Sequence, residues 1–140
     1  MVIERLKKED INKYKELIDE VFDGSNNLDE YQKYNESSDN YYIVVAKQDD
    51  KIIGSITMYM IDLFTNSLQP AIELFNVAVS SKYRGLGISK KLFEYVINYA
   101  KDNNYKMIYL TCFGDACIAH KLYENMGFKR TSSVKFELHL

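Results

Sequence analysis

Arg84-Gly85-Leu86-Gly87-Ile88-Ser89 is the stretch whose composition is best suited to chemistry. It follows the apolar run Val77-Ala78-Val79 and precedes a helical repeat, so a strand ends, turns through small residues and restarts as a helix. Such a turn leaves several backbone N–H groups without intrahelical partners at one point, and the helix adds partial positive charge there. Gly85 and Gly87 let a ligand approach the backbone with no Cβ in the way, Ser89 stays small, and Lys90 and Lys91 add full charges. The chemistry on offer is capture of a phosphate-bearing ligand, a pyrophosphate above all. A dinucleotide-binding G-x-G-x-x-G turn needs a different glycine spacing, and a Walker loop needs Gly-Lys-Ser/Thr, which this turn lacks. A tight turn with no ligand is the competing reading.

The elements that must hold this turn can be read from periodicity. Val2 to Leu6 alternates as a first strand. Asp10 is placed to cap a helix whose Ile11, Tyr14, Leu17, Ile18, Val21 and Phe22 recur at helical spacing, and Gly24-Ser25-Asn26-Asn27 breaks it. Leu28 to Ser38 is polar and only weakly helical. Tyr41–Lys47 and Ile52–Ile61 form a hairpin around Gln48-Asp49-Asp50-Lys51, and Asp62 to Gln69 reads as a loop ended by Pro70. Ala71–Val79 is a fourth strand, Ser89–Asp102 an amphipathic helix, Met107–Thr111 a fifth strand, Asp115–Met126 a helix stopped by Gly127, and Val134–Leu140 a final alternating strand. The order predicts an α+β fold: a mixed, mostly antiparallel sheet of six to seven strands flanked by about four helices, in a single domain over 1–140.

Composition narrows the function classes. With 46% hydrophobic and 27% charged residues the chain has an ordinary globular balance, so a folded core is expected. A net charge of −2 with no dense basic block argues against a nucleic-acid binder. No apolar stretch is long enough to span a membrane, and the opening Met1-Val2-Ile3-Glu4-Arg5 lacks signal-peptide form, so no membrane association is expected. Two cysteines, Cys112 and Cys117, make no disulfide framework, which favours a reducing, cytoplasmic compartment. No metal-ligand spacing is present, and no metal is expected.

The combination of motifs from Val77 to Phe128 resembles the GNAT superfamily of acetyl-CoA-dependent N-acetyltransferases. Arg84, Gly87 and Ser89 fall on the fixed positions of its Q/R-x-x-G-x-G/A signature, with Ser89 replacing the usual glycine or alanine. Ala119, Leu122, Tyr123, Glu124, Gly127 and Phe128 resemble its second cofactor motif. The motifs cover about the last half of the chain, and the order of elements extends the resemblance over nearly all of it.

By that resemblance the chain is expected to transfer acetyl from acetyl-CoA directly to a primary amine. Backbone groups of Val77 and Val79 would hold the pantetheine arm, and an N–H of that strand would polarise the acetyl carbonyl. The turn Gly85, Leu86, Gly87, Ile88, Ser89 and Lys90 would hold the pyrophosphate, beside Arg84, with Ala119 and Tyr123 also at the cofactor. The family's fourth strand commonly carries a bulge that splays it from the fifth. Tyr123 stands where the family places the acid that protonates the departing thiolate; packing between helix and sheet is the plainer role for a tyrosine in a chain with 12 of them. Glu73 resembles the base of histone-acetylating members, and simple alternation puts it on one strand face with Phe75, Val77 and Val79; an exposed charge at a strand end is its plainer reading. Many members carry an asparagine seven positions before the tyrosine, where this chain has Ala116.

Other residues carry weaker signals. Cys112 and Cys117 make an acetyl-cysteine route conceivable, with inert thiols as the plainer reading. His120 shares roughly the helical face of Tyr123. Asp19, Glu20, Asp23, Asp29, Glu30, Glu36 and Asp39, with Tyr31 and Tyr34 among them, would form an acidic, aromatic wall suited to a small cationic acceptor, or simply a solvated face. The alternatives are an acyl-CoA-binding sensor without catalysis and a protein N-terminal or lysine acetyltransferase. A homodimer is open under the resemblance, because family members often dimerise.

Overall fold

The computed structural model describes residues 1–24, 26–66, 68–112 and 117–140. Strand β1 is Val2–Arg5, followed by helices α1 (Ile11–Phe22) and α2 (Leu28–Tyr31). Strands β2 (Tyr41–Gln48), β3 (Lys51–Leu63) and β4 (Gln69–Val79) follow, then helix α3 (Ile88–Asp102), strand β5 (Met107–Leu110) and helix α4 (Cys117–Asn125). The sheet runs β1-β2-β3-β4-β5 in space; its first three pairings are antiparallel and β4–β5 is parallel. The α+β class and the mixed, mostly antiparallel sheet agree with expectation.

Both faces of the sheet are buried, so strand alternation sorts the core into two layers. Val44, Ala46, Ile53, Ile56, Met58, Ile72 and Leu74 pack against Ile88, Leu92, Phe93, Val96 and Ala100 of α3. On the opposite face Ile43, Val45, Ile52 and Ala78 pack against Ile11, Tyr14, Leu17 and Ile18 of α1. The β2–β3 turn places Asp49 and Asp50 at φ 51° and 62°, the left-handed pair that matches the twist of a two-residue hairpin.

Three expectations are corrected. The sheet has five strands rather than six or seven among the described residues, because 134–140 pairs with no strand there. Its side chains lie in solvent, Phe136 at 92% exposure. The hairpin β3–β4 also extends through Leu63 and Gln69, where a loop was expected, since Asp62 and Pro70 still oppose each other in register. Asp10 precedes α1 but its carboxylate does not cap it. It turns instead to Lys47, 2.7 Å away, and Lys13, 3.6 Å away, and these cations hold it below the usual carboxylate range. The expected helix start at Asp115 and the departure at Ala116 lie outside the described residues. Among the described residues no helix is long and apolar enough to cross a membrane.

Candidate active site

The turn between β4 and α3 has the geometry an anion needs. Gly85 and Gly87 both take φ 79°, and a Cβ built on either would meet nothing within 4 Å, so the space above them is open. Gly87 occupies the N-cap of α3, and no side chain caps the helix there. The amides of the first helical turn are therefore left for a ligand. Buried Ile88 pins this end of the helix to the sheet, while Leu86 and Lys90 stay exposed and Ser89 is half-buried. Arg84 folds back, its Nε donating to the Val79 carbonyl at 3.3 Å.

Gly54 sets how closely this helix end approaches the sheet. A Cβ at Gly54 would lie 2.9 Å from Cγ2 of Ile88 and 3.3 Å from both the Ala78 carbonyl and Cδ1 of Leu92. Only glycine admits α3 at this distance. A glycine in the middle of an apolar strand was the signal for it in the sequence.

A bulge shapes the strand that leads into the turn. Thr57 opposes Phe75 and Ser55 opposes Ala78, so Asn76 and Val77 together face the single residue Ile56. Asn76 takes φ 53° to accommodate the extra residue. Beyond this point β4 leaves β5: the two strands pair only from Ala71–Met107 to Leu74–Leu110. From Phe75 to Val79 the β5 side of β4 has no strand partner among the described residues, which opens a slot that ends at the glycine turn.

The bulge also overturns the simple alternation. Val77 and Val79 pack on the α3 layer with Ile72 and Leu74. Glu73 and Phe75 face the other side, where they line a cleft of about 560 Å³ with Asn40, Tyr59, Met60, Ile61 and Asn76. One inserted residue inverts the phase of everything after it. Glu73 therefore does not share a face with Val77 and Val79. It lies beside Tyr109, its register partner on β5, whose phenol is held up by burial and then by the Glu73 charge.

Tyr123 projects from α4 into the aromatic packing of the α3 layer. Its ring centroid is 5.5 Å from that of Phe93 and 6.3 Å from that of Phe128. The Gly-Phe ending explains this placement. Gly127 takes φ 98°, which lets the Phe128 amide reach back to the Tyr123 carbonyl at 3.0 Å, and the Phe128 ring then packs edge-on to Phe93. The Tyr123 phenol lies beside the Cys112 thiol; burial first, and then the sulfur, raise it above the ordinary phenol range. A phenol so held stays protonated through neutral pH. Ala119 and His120 are half-buried on the same helix, and Cys112 is exposed.

Sequence reasoning did not single out Tyr59, Asn76 or Tyr109, though it placed Phe75 on the face of Glu73, where it lies. A second cleft of about 350 Å³ adjoins the first through Tyr59 and Asn76, and Tyr14, Tyr31, Tyr34 and Tyr41 line it. Its aromatic character was expected, but its acidity is largely absent. Of the seven acidic residues in 19–39 only Glu30 lines it, and Glu30 is paired with Lys33 at 2.9 Å. Asp19 is bound to Lys15 at 2.6 Å, and Glu20 to Ser80 and Ser81. Among the described residues no group of three or more His, Cys, Asp and Glu is placed to hold a metal ion.

Comparison with known proteins agrees with this architecture. The family model described as the acetyltransferase (GNAT) family matches residues 8–128. Over 94 residues, 67% of this chain and 41% of the relative, the sequence is 30% identical to N-acetyltransferase 8B of Homo sapiens. Over 94 residues, 67% of this chain and 33% of the relative, it is 34% identical to N-acetylaspartate synthetase of Xenopus tropicalis. The match thus spans about a third to two fifths of these curated relatives. Among solved structures, an aminoglycoside acetyltransferase from an uncultured soil metagenomic sample, in complex with trehalose, superposes with a TM-score of 0.86 at 23% identity, covering 99% of this chain and 95% of that one. A transcriptional regulator from Bacillus halodurans superposes at 0.87 with 21% identity over 99% of each chain. At these identities the structural likeness speaks to the fold.

Proposed function

The chain belongs to the acetyltransferase (GNAT) family, and from that premise we propose that it transfers the acetyl group of acetyl-CoA directly to a primary amine. The observation that carries this reading is the slot beside Phe75–Val79, which runs into an uncapped helix N-terminus with two open glycines. A pantetheine arm fits the free strand edge at Val77 and Val79, and a pyrophosphate fits the amides from Gly85 to Lys90 with Arg84 beside them. A free β4 N–H would stabilise negative charge on the acetyl oxygen as the amine attacks the carbonyl carbon. The carbon–sulfur bond then breaks, and Tyr123 gives its proton to the departing sulfur.

The acceptor would enter from the opposite face of the sheet, through the cleft that holds Glu73. Tyr59 and Phe75 stack edge-on there, with ring centroids 5.3 Å apart, and present π-faces to a cation beside one carboxylate. A small cationic amine suits that lining. Glu73 would take the ammonium proton, directly or through water, because only the neutral amine attacks.

The test is thermal unfolding with and without acetyl-CoA, beside a Gly87→Glu variant. At 100 times the dissociation constant, one-site binding adds about 2.7 kcal/mol to stability. A shift that the variant loses supports the turn as the pyrophosphate site, and thiol release with a panel of small amines, polyamines first, then reports the reaction. A folded, cofactor-free chain that shows no shift would sink the proposal.

A further inference from the structure

Thr57 lines the smaller cleft with a hydroxyl that has nothing to bond. The residue is 3% exposed, and its Oγ1 has no hydrogen-bond partner. A buried hydroxyl left this way costs free energy that a partner arriving through the cleft would recover. Its neighbours do not supply that partner. The Tyr34 phenol donates to the Leu6 carbonyl at 2.8 Å, and the Tyr41 phenol accepts from the Asn35 amide at 2.9 Å. The Tyr14 phenol faces Thr57 without closing a bond of ordinary geometry. The Ser55 hydroxyl is also unpartnered, but it is fully buried and lines neither cleft.

The surroundings of that hydroxyl set the chemistry of its partner. Ile11, Ile43 and four tyrosine rings wall the cleft, so it takes a flat apolar body. Its only charges among the described residues, Glu30 and Lys33, neutralise each other at an exposed rim. A second ammonium would find no free carboxylate here, and a sugar would bring more hydroxyls than the buried lining can satisfy. The strand register then gives a length. Tyr59 lies opposite Glu73 and Thr57 lies opposite Phe75, so Glu73 and Thr57 are diagonal neighbours on one sheet face, about 7–8 Å apart. The two clefts join over that diagonal, through Tyr59 and Asn76.

We infer that the acceptor is a primary amine on a short alkyl chain carrying a hydroxylated aromatic ring, and that Thr57 is the residue that selects it. The amine lies at Glu73, the ring enters between the tyrosines, and the ring hydroxyl bonds Thr57 Oγ1. A two-carbon chain and a six-membered ring span the diagonal between those two side chains. This rests on the reading of the Glu73 cleft as the acceptor site, and it narrows the cationic amine of that reading to one with a neutral aromatic tail.

A matched pair of amines tests it. Tyramine and phenethylamine share the amine and the chain and differ only in the ring hydroxyl. For the full chain with acetyl-CoA, kcat/KM should be about tenfold higher for tyramine, and spermidine should be the poorest of the three. Thr57→Val should bring the tyramine to phenethylamine ratio to about one, and Thr57→Ser should keep it. Phenethylamine reads any general effect of each substitution, so the ratio isolates the contact. A ratio near one in the natural chain, a ratio that survives Thr57→Val, or a preference for spermidine overturns the inference. Calorimetric titration of the same amines separates this from the transfer reading. A Thr57-dependent preference in binding without turnover supports the aromatic site and removes acetyl transfer. Turnover of spermidine with no binding of either aromatic amine keeps the transfer and removes the aromatic site.

Discussion

Glu20, near the end of α1, accepts a hydrogen bond from the Ser80 hydroxyl at 2.8 Å and another from the Ser81 amide at 3.0 Å. The last turn of one helix thus grips the chain where β4 gives way to the glycine turn, 60 residues further on. The Ser81 amide, followed by the Ser80 hydroxyl, holds the Glu20 carboxyl below its ordinary range.

Glu20→Gln should loosen this grip. The carboxylate is largely solvated, so the expected effect is modest: about 0.5–1 kcal/mol, or roughly two- to fivefold weaker acetyl-CoA binding. Isothermal titration calorimetry checks it. The pH dependence has a definite sign. A depressed carboxyl contributes stability above its unfolded value, near 4.5, and loses it as pH falls through the folded value. The variant should lose that part of the acid slope.

Tyr123→Phe keeps the ring and its packing on Phe93 and Phe128, and removes the hydroxyl that carries the proton. The expected result is a fall in kcat of about 10²-fold with the acetyl-CoA dissociation constant unchanged. Because the phenol is raised by burial and by Cys112, the wild-type enzyme should keep its acid form to higher pH than an ordinary phenol would, so any alkaline fall in kcat from this group is displaced upward. Unchanged turnover in the variant would remove Tyr123 from the reaction.

Glu73→Gln should lower kcat/KM for the amine by about 10²-fold at neutral pH. The loss should shrink as pH approaches the acceptor's own ionisation, where the amine arrives already neutral. A loss that is equal at all pH values would assign Glu73 to acceptor binding instead. Steady-state kinetics from neutral to mildly alkaline pH separate the two.

Gly54→Ala forces a methyl against the Ile88 side chain at 2.9 Å. Overpacking of this kind costs about 1–3 kcal/mol. The β-branched Ile88 cannot swing away freely, so the start of α3 should shift and acetyl-CoA affinity should fall with stability. Urea unfolding and the same calorimetric titration measure both. A stable variant with weakened binding would show that the helix moved rather than the core.

Tyr14 lies on the buried face of α1, and burial pushes its phenol up to about 12 from the ordinary 10.0. The folded state favours the protonated form, so this stabilisation is complete below pH 10 and drains away as pH climbs toward 12. The loss amounts to about 3 kcal/mol at most. Urea unfolding at about pH 9, 10.5 and 12 should show the slope, and Tyr14→Phe should flatten part of it. Tyr42 is raised by burial too and should supply a residual slope of the same sign.

Local patterns were the legible ones. The glycine turn could be read because positive φ at two nearby positions demands glycine, and the Tyr123 to Phe128 ending because a helix stop and an aromatic return need fixed spacing. The five strands and three longer helices follow from periodicity within each segment. What escaped depends on pairing between segments. A bulge is a relation between two strands, so it was expected only through the family resemblance and its position could not be read from the residues of β4. The face of Glu73 was misjudged for that reason. The alternation of 134–140 was equally plain, but period two reports which side of a strand is apolar and not which strand lies next to it.

The left-handed Asn76 therefore divides β4 into two independent territories. Before it, Glu73 and Phe75 face the cleft and Ile72 and Leu74 the α3 layer; after it, the phase inverts, so that Val77 and Val79 face the α3 layer. Under the proposed function, substitutions around Glu73 and Phe75 would alter which acceptor is admitted while Val77 and Val79 go on meeting the same donor. On that reading, a single backbone kink would make acceptor choice evolvable without renegotiating the grip on the donor.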